Sequence, residues 1–118
     1  MSSSTCRSQL KRKREQRVDA EKRTASARSK EAEKRAAAAR ARSAAASSRS
    51  ESMIKSKLRE AERYENEANS AGKDSASWQT KASSYLKEEA RLIQQLSDAE
   101  LSEQKSAERA RQGAENCR

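Results

Sequence analysis

Large apolar residues are concentrated in the second half of the chain. They are Met53, Ile54, Leu58, Tyr64, Trp78, Tyr85, Leu86, Leu92, Ile93, Leu96 and Leu101. Many of them recur at steps of three and four residues, which is the spacing of one face of an α-helix. The clearest such stripe is Trp78, Ala82, Tyr85, Glu89, Leu92, Leu96 and Ala99, with Leu86 and Ile93 widening it on one side. The pattern predicts a pair of amphipathic helices.

Gly72 marks the place where the chain is expected to reverse. Glycine readily adopts the left-handed conformation that ends a helix, and Asp74 or Ser75 can cap the helix that follows. The expected order is a first hairpin helix, a turn and a second hairpin helix, over residues 32–71, 72–75 and 76–112.

The first half of the chain has a different repeat, built from small residues. Its heptad positions are Val18, Ala25, Ala32, Ala39, Ala46 and Met53, preceded at three residues by Ser29, Ala36, Ser43 and Ser50. A seam of this kind lets helices approach closely but buries little apolar area. One edge beside it carries Glu21, Arg28, Arg35, Arg42 and Arg49. We interpret the repeat as a marginally stable coiled-coil seam, and chance in an Ala-rich sequence is the alternative.

Two interpretations of Ser48 and Glu51 stay open. The pair fits a capping box, which would begin a new helix, or it lies within one continuous helix. The heptad repeat passes this point unbroken and favours continuity. A second helix of about 40 residues spans roughly 60 Å and would cover the first helix only back to about Ala32. Residues 1–31 are therefore expected to be an extended basic arm, and residues 113–118 a frayed tail.

Composition decides between disorder and long helices. Apolar residues make up 32% of the chain and charged residues 38%, so a compact core is not expected. Both disorder and coiled coil fit these values. The chain has no Pro and two Gly, and its abundant Ala, Arg, Lys and Glu favour helix. We predict an all-α fold, a long two-helix antiparallel hairpin or coiled coil with an extended basic N-terminal helix.

The excess positive charge lies in the first half. Residues 1–50 carry 15 Lys and Arg against five acidic residues, whereas the whole chain has a net charge of +9. The candidate polyanion-binding residues are Lys11, Arg12, Lys13, Arg14, Arg17, Lys22 and Arg23. No Asn or aromatic residue is interleaved among them to read bases, so they would bind nucleic acid through its phosphates without sequence preference.

Catalytic chemistry is not indicated. The chain has no His and no Gly-rich phosphate loop, and two helices form no enclosed pocket. We therefore predict no catalytic residue, no cofactor and no small-molecule substrate. Cys6 and Cys117 stand at opposite ends and form no metal site without His. They are expected to be free thiols, with pairing between chains as the alternative.

Neither a membrane span nor a secretory signal is recognisable. No stretch approaches the 18 to 20 apolar residues of a spanning helix, and the N-terminus lacks an apolar signal core. A cytoplasmic location is expected. The Arg- and Ser-rich start is also compatible with an organellar transit peptide.

The middle of the chain resembles a known kind of segment. Residues 47–50 read Ser-Ser-Arg-Ser, and residues 56–63 read Ser-Lys-Leu-Arg-Glu-Ala-Glu-Arg. Such runs are similar to the helical N-terminal segments that precede effector domains, such as TIR domains, in bacterial anti-phage conflict proteins. The resemblance extends over roughly residues 3–111 and implies oligomerisation or localisation without chemistry. The 118 residues include no effector domain, so no catalytic residue is carried over.

The leading hypothesis is a non-enzymatic coiled-coil scaffold or adaptor that self-associates or docks on partner helices. The predicted helix–helix interface consists of Ile54, Leu58, Tyr64, Trp78, Tyr85, Leu92 and Leu96. The alternative is a sequence-nonspecific nucleic-acid-binding protein that acts through its basic N-terminal helix. A third hypothesis is a chain that is disordered alone and folds on a partner.

Overall fold

The computed structural model describes residues 1–117, and almost all of them belong to two long α-helices. α1 spans Ser3–Ser47 and α2 spans Glu51–Asn116. No strand occurs between residues 1 and 117. The predicted all-α class and the two-helix antiparallel hairpin are confirmed.

The reversal lies at residues 48–50, so the predicted turn at 72–75 is wrong. The backbone N–H of Met53 donates to Ser50 Oγ at 3.3 Å, and the N–H of Ile54 donates to the Ser50 carbonyl at 2.9 Å. Ser50 is thus the cap of α2. Serine hydroxyls compete for backbone hydrogen bonds, and this favours a break where several serines follow one another. The continuity favoured for this point is therefore also wrong. A new helix does begin here, as the alternative held, but Ser50 caps it and not the predicted Ser48–Glu51 box.

Gly72 lies inside α2 and is not part of a turn. No glycine in the structure has a positive φ. One glycine costs a helix roughly 1 kcal/mol, which is small beside the packing of a long helix. The two predicted segments 32–71 and 76–112 therefore do not exist as separate helices around a turn. α2 also continues to Asn116, so residues 113–116 are helical and not frayed.

Contacts divide the chain into two units. The first consists of Met1–Val18 and the chain from Ala82 onward, and the second is Asp19–Lys81. The contacts that give the helix directions are Ser3–Glu103 and Arg17–Glu89 in the first unit, and Arg28–Gln79 and Arg42–Glu65 in the second. Within each unit, the residue number of the α2 partner falls as the residue number of the α1 partner rises. Each unit is therefore an antiparallel pair of helical segments.

The N-terminal segment is helical, but it is not a free arm. α2 has 66 residues and α1 has 45, so α2 is long enough to provide a partner for the start of α1. Ser3, Cys6 and Leu10 are buried. The backbone N–H and the hydroxyl of Ser3 donate to the Glu103 carboxylate at 3.0 and 2.7 Å. The prediction of a projecting arm failed because it followed from the wrong turn.

Both helices bury a seam at alternating steps of three and four residues. In α1 the buried or half-buried positions include Ser3, Cys6, Leu10, Lys13, Arg17, Ala20, Thr24, Ala27, Glu31, Lys34, Ala38, Ala41 and Ala45. In α2 they include Ile54, Lys57, Ala61, Tyr64, Ala68, Ala71, Ser75, Trp78, Ala82, Tyr85, Glu89, Leu92, Leu96 and Ala99. This spacing is the heptad repeat of a two-stranded coiled coil.

The α1 seam lies beside the one predicted from its small residues. The predicted positions Val18, Ala25, Ala32, Ala39, Ala46 and Met53 are all exposed. One line of the buried seam, which includes Arg17, stands one residue before these positions. The other line includes Lys13 and Lys34, and an apolar pattern selects none of the three. Long charged side chains can occupy such positions because their aliphatic stems pack while their charged ends find partners.

Candidate helix-docking surface

Most of the predicted interface residues pack within the chain itself. Leu92 is only 2% exposed. Ile54, Tyr64, Trp78, Tyr85 and Leu96 are half-buried in the seam between α1 and α2. Leu58 is 50% exposed and was assigned wrongly, because it stands one position outside the seam. The strongest apolar stripe is thus largely occupied by α1 and is not open to a second chain.

Lysines of α1 bind tyrosines and glutamates of α2 in a repeated arrangement. In the first unit, Lys13 Nζ lies 5.6 Å from the centroid of the Tyr85 ring and 2.7 Å from the Glu88 carboxylate. In the second unit, Lys34 lies 5.5 Å from the Tyr64 ring and 2.9 Å from Glu67 in the same way. Lysines at seam positions are therefore satisfied by a cation–π contact and an ion pair.

The sequence contains the signal for this arrangement, although apolar periodicity does not detect it. Tyr-x-x-Glu occurs at Tyr64 and again three heptads later at Tyr85. Lys13 and Lys34 are separated by the same interval on α1. A search for complementary polar pairs in opposite directions along two helices would have found it.

Glu89 is a buried carboxylate within the first unit. Its side chain accepts a hydrogen bond from Arg17 Nε, and Arg14 Nε lies 3.6 Å from its other oxygen. A buried carboxylate without a cation costs several kcal/mol. Register changes that remove Arg17 from Glu89 are therefore strongly disfavoured.

The seven cations predicted to bind polyanions fall into two groups. The engaged group comprises Lys13, Arg14, Arg17 and Arg23, which have acidic or aromatic partners. The second group comprises Lys11, Arg12 and Lys22, which are exposed and have no ion pair within residues 1–117. Only the second group is free to meet a polyanion without giving up a contact of the fold.

Three arginines of the predicted line connect the two helices, whereas Arg49 lies in the turn between them. Arg28 donates to Gln79 at 2.8 Å, Arg35 lies 3.3 Å from Glu65, and Arg42 lies 3.1 Å from the same carboxylate. Arg7, at the same heptad position, lies 3.6 Å from Glu100 in the first unit. Exposed pairs of this kind contribute about 0.2–1 kcal/mol each. They help to set the antiparallel register and add little stability individually.

Hydrogen bonds and ion pairs lower the pKa of two carboxyls at the edge of the seam. The Ser3 N–H and hydroxyl hold the pKa of Glu103 below its ordinary value. The hydrogen bond from the Lys34 ammonium lowers the pKa of Glu67. Both groups therefore favour the folded state in their charged form.

The first unit has an apolar surface that its two helices leave uncovered. Leu86 is 56% exposed and Ile93 is 49% exposed, one heptad apart on the same face of α2. A groove of about 510 Å³ in this unit is lined by Arg7, Leu10, Lys11, Arg14, Glu15 and Leu96. The sequence suggested that Leu86 and Ile93 would widen the buried stripe. A pair of helices buries only its seam, so these flanking positions remain exposed.

Comparisons of the chain with protein-family models, curated proteins and solved structures found no match. Neither described helix contains a segment that is both long and apolar enough to cross a bilayer. Between residues 1 and 117 there is also no cluster of three potential metal ligands.

Proposed function

We propose that the chain is a non-enzymatic coiled-coil adaptor of the cytoplasm that joins other helices through its first unit, by self-association or by docking a partner helix. The observation that carries this proposal is the exposure of Leu86 and Ile93 in a unit that also has a groove over Leu10 and Leu96. In helical bundles, apolar positions that flank a seam are covered by a further helix.

The energetic gain from covering this face is substantial for a chain with so small a core. Fully burying a Leu or Ile side chain is worth about 1.5–3 kcal/mol. Leu86 and Ile93 are each about half exposed, so a docked helix would recover roughly half of that from each. The α1 seam consists largely of alanine and polar residues and supplies little apolar area in its place.

Light scattering on the size-exclusion column and peptide binding together test the proposal. The peptide probe is a helical peptide with leucines at i, i+3, i+4 and i+7 and glutamine on its flanks. The wild type should either exceed the mass of a monomer or bind this peptide. The variant L86S/I93S should lose that association at unchanged helicity in circular dichroism.

A matched control comes from the second unit. M53S/L58S removes two apolar side chains of similar exposure, 49% and 50%, outside the proposed surface. It should associate like the wild type. Equal losses in both double variants, or a monomeric wild type that binds no peptide, would refute the proposal.

We further propose a role in bacterial defence for this adaptor. The resemblance of residues 47–63 to N-terminal segments of anti-phage conflict proteins supports this context. Loss of phage resistance on deletion of the gene, restored by the wild type and not by L86S/I93S, is the expected result. Equal plaque counts in all strains would contradict it.

Binding of nucleic acid is the second candidate function. Lys11, Arg12 and Lys22 favour it because they are exposed and unpaired within the described part of the chain. The affinity for DNA or RNA should fall steeply with salt and drop further in K11Q/R12Q, because each phosphate contact releases counterions. If the affinity for DNA or RNA, measured by gel shift, depends neither on salt nor on these substitutions, this second candidate function is excluded.

A further inference from the structure

We infer that the groove of the first unit receives an amphipathic helix that carries carboxylates, supplied by another protein and not by a second copy of this chain. The inference rests on the proposed docking at the same surface and specifies its occupant. Three features support it: the apolar floor of the groove, the charges along its sides, and the repulsion between the same cations of two copies.

The floor of the groove fits the apolar side of a helix. Leu10 and Leu96 line it. Leu86 and Ile93 are exposed and share the heptad position of Glu100, the partner of Arg7, so they stand on the same side of the helix pair as the groove. Side chains at i, i+3, i+4 and i+7 of a docked helix are the anchors that such a groove accepts.

Cations dominate the sides of the groove. Arg7, Lys11 and Arg14 follow at steps of four and three on α1, so they share one face of the helix. Glu15 is the single carboxylate among the residues that line the groove.

These cations are available to a ligand. Lys11 has no ion pair within residues 1–117. The side chains of Arg7 and Arg14 are each more than half exposed, and their carboxylate partners lie 3.6 Å away. Such long exposed contacts are weak enough to be shared with, or exchanged for, carboxylates of a docked helix.

A second copy of the chain has the wrong charge for this surface. In a two-fold symmetric contact, the same patch meets itself. Arg7, Lys11 and Arg14 would then face the same cations of the other copy, with Glu15 and Glu100 as the nearby counter-charges. A helix with glutamates beside its apolar anchors gains attraction where the second copy meets repulsion.

Three helical peptides with identical leucine positions test the inference by fluorescence anisotropy. Their flanking positions carry glutamate, glutamine or lysine. The Glu peptide should bind about tenfold more tightly than the Gln peptide, as two or three exposed ion pairs would give, and the Lys peptide should bind most weakly. The preference should shrink as salt is raised, because exposed charges are screened.

Two charge reversals on α1 locate the effect. K11E should weaken binding of the Glu peptide about tenfold and reduce its preference over the Gln peptide. K22E is the matched control, because Lys22 is also an exposed, unpaired lysine of α1 but belongs to the second unit. The affinity of K22E for the Glu peptide should equal that of the wild type. Circular dichroism should show equal helicity in K11E and K22E.

The outcomes separate this inference from the proposed function. If the Gln and Glu peptides bind equally well and both need Leu86 and Ile93, the proposed docking stands. The inference of an acidic partner is then overturned. A dimer that L86S/I93S abolishes and that the Glu peptide does not dissociate would identify a second copy as the occupant and also overturn it. A monomer that binds none of the three peptides overturns both.

Discussion

Replacement of Gly72 by alanine tests where the chain reverses, because the two possible positions give opposite signs. Inside a helix, alanine is favoured over glycine by about 0.5–1 kcal/mol. In a left-handed turn, the added Cβ would instead cost about 1–2 kcal/mol. The structure places Gly72 within α2, so stabilisation is expected.

The magnitude depends on the neighbour of Gly72 in the second unit. A Cβ at this position would lie 2.5 Å from Glu31 Oε2, so the carboxylate must move. Its move weakens the ion pair with Arg35, which lies 3.3 Å away and one helical turn along α1. Such a pair is worth about 0.3–0.5 kcal/mol. The net gain of G72A is therefore expected to be about 0.5 kcal/mol.

Urea unfolding followed by circular dichroism at 222 nm measures the change. In an E31A background the contact is absent, and the gain from G72A should rise to about 1 kcal/mol. G113A is the control, because no atom within 4 Å would meet its Cβ and it lies near the end of α2. Destabilisation by about 1 kcal/mol or more in both backgrounds would refute the turn at residues 48–50 and favour one at Gly72.

Three further predictions concern the seam. L92A should destabilise the fold by about 2–5 kcal/mol in urea unfolding, because this leucine is 2% exposed. R17A should cost about 3 kcal/mol by the same measurement, because it removes the nearer cation of the buried Glu89. The pKa of Glu67 lies below its ordinary value of 4.5, so the folded state binds fewer protons than the unfolded state. Stability from its contact with Lys34 is therefore present above about pH 4.5 and is lost as pH falls through the lowered pKa. E67Q should flatten that part of the acid titration of stability, and an unchanged titration would contradict this account.

Apolar periodicity was sufficient to predict the seam of α2 from Trp78 to Ala99. There the buried residues are large and apolar, and every position of the predicted stripe is buried or half-buried. Burial of apolar area is the main contribution at such positions, so the local pattern carries most of the relevant information.

The turn and the α1 seam could not be predicted in this way. A glycine and a run of serines are both local signals of about 1 kcal/mol, so neither decides the reversal alone. Pairing decides it, because only a turn at residues 48–50 brings Lys34 to Tyr64 and Glu67. The position of each seam residue depends in turn on that pairing. The predicted seam was consequently displaced by one residue towards small apolar side chains.

The polar pairs of the seam also explain why Leu86 and Ile93 remain available for docking. A slip of one heptad would leave Leu86 and Ile93 outside the seam, because every residue would keep its heptad position. Burying them requires α2 to rotate about its axis in the first unit, which would turn the buried Leu92 outward and separate Lys13 from Glu88, which now lie 2.7 Å apart. Each loss exceeds or offsets the gain from covering one half-exposed leucine. Because the pair of helices cannot bury Leu86 and Ile93 without these losses, the two side chains stay exposed, which is the condition that the proposed docking requires.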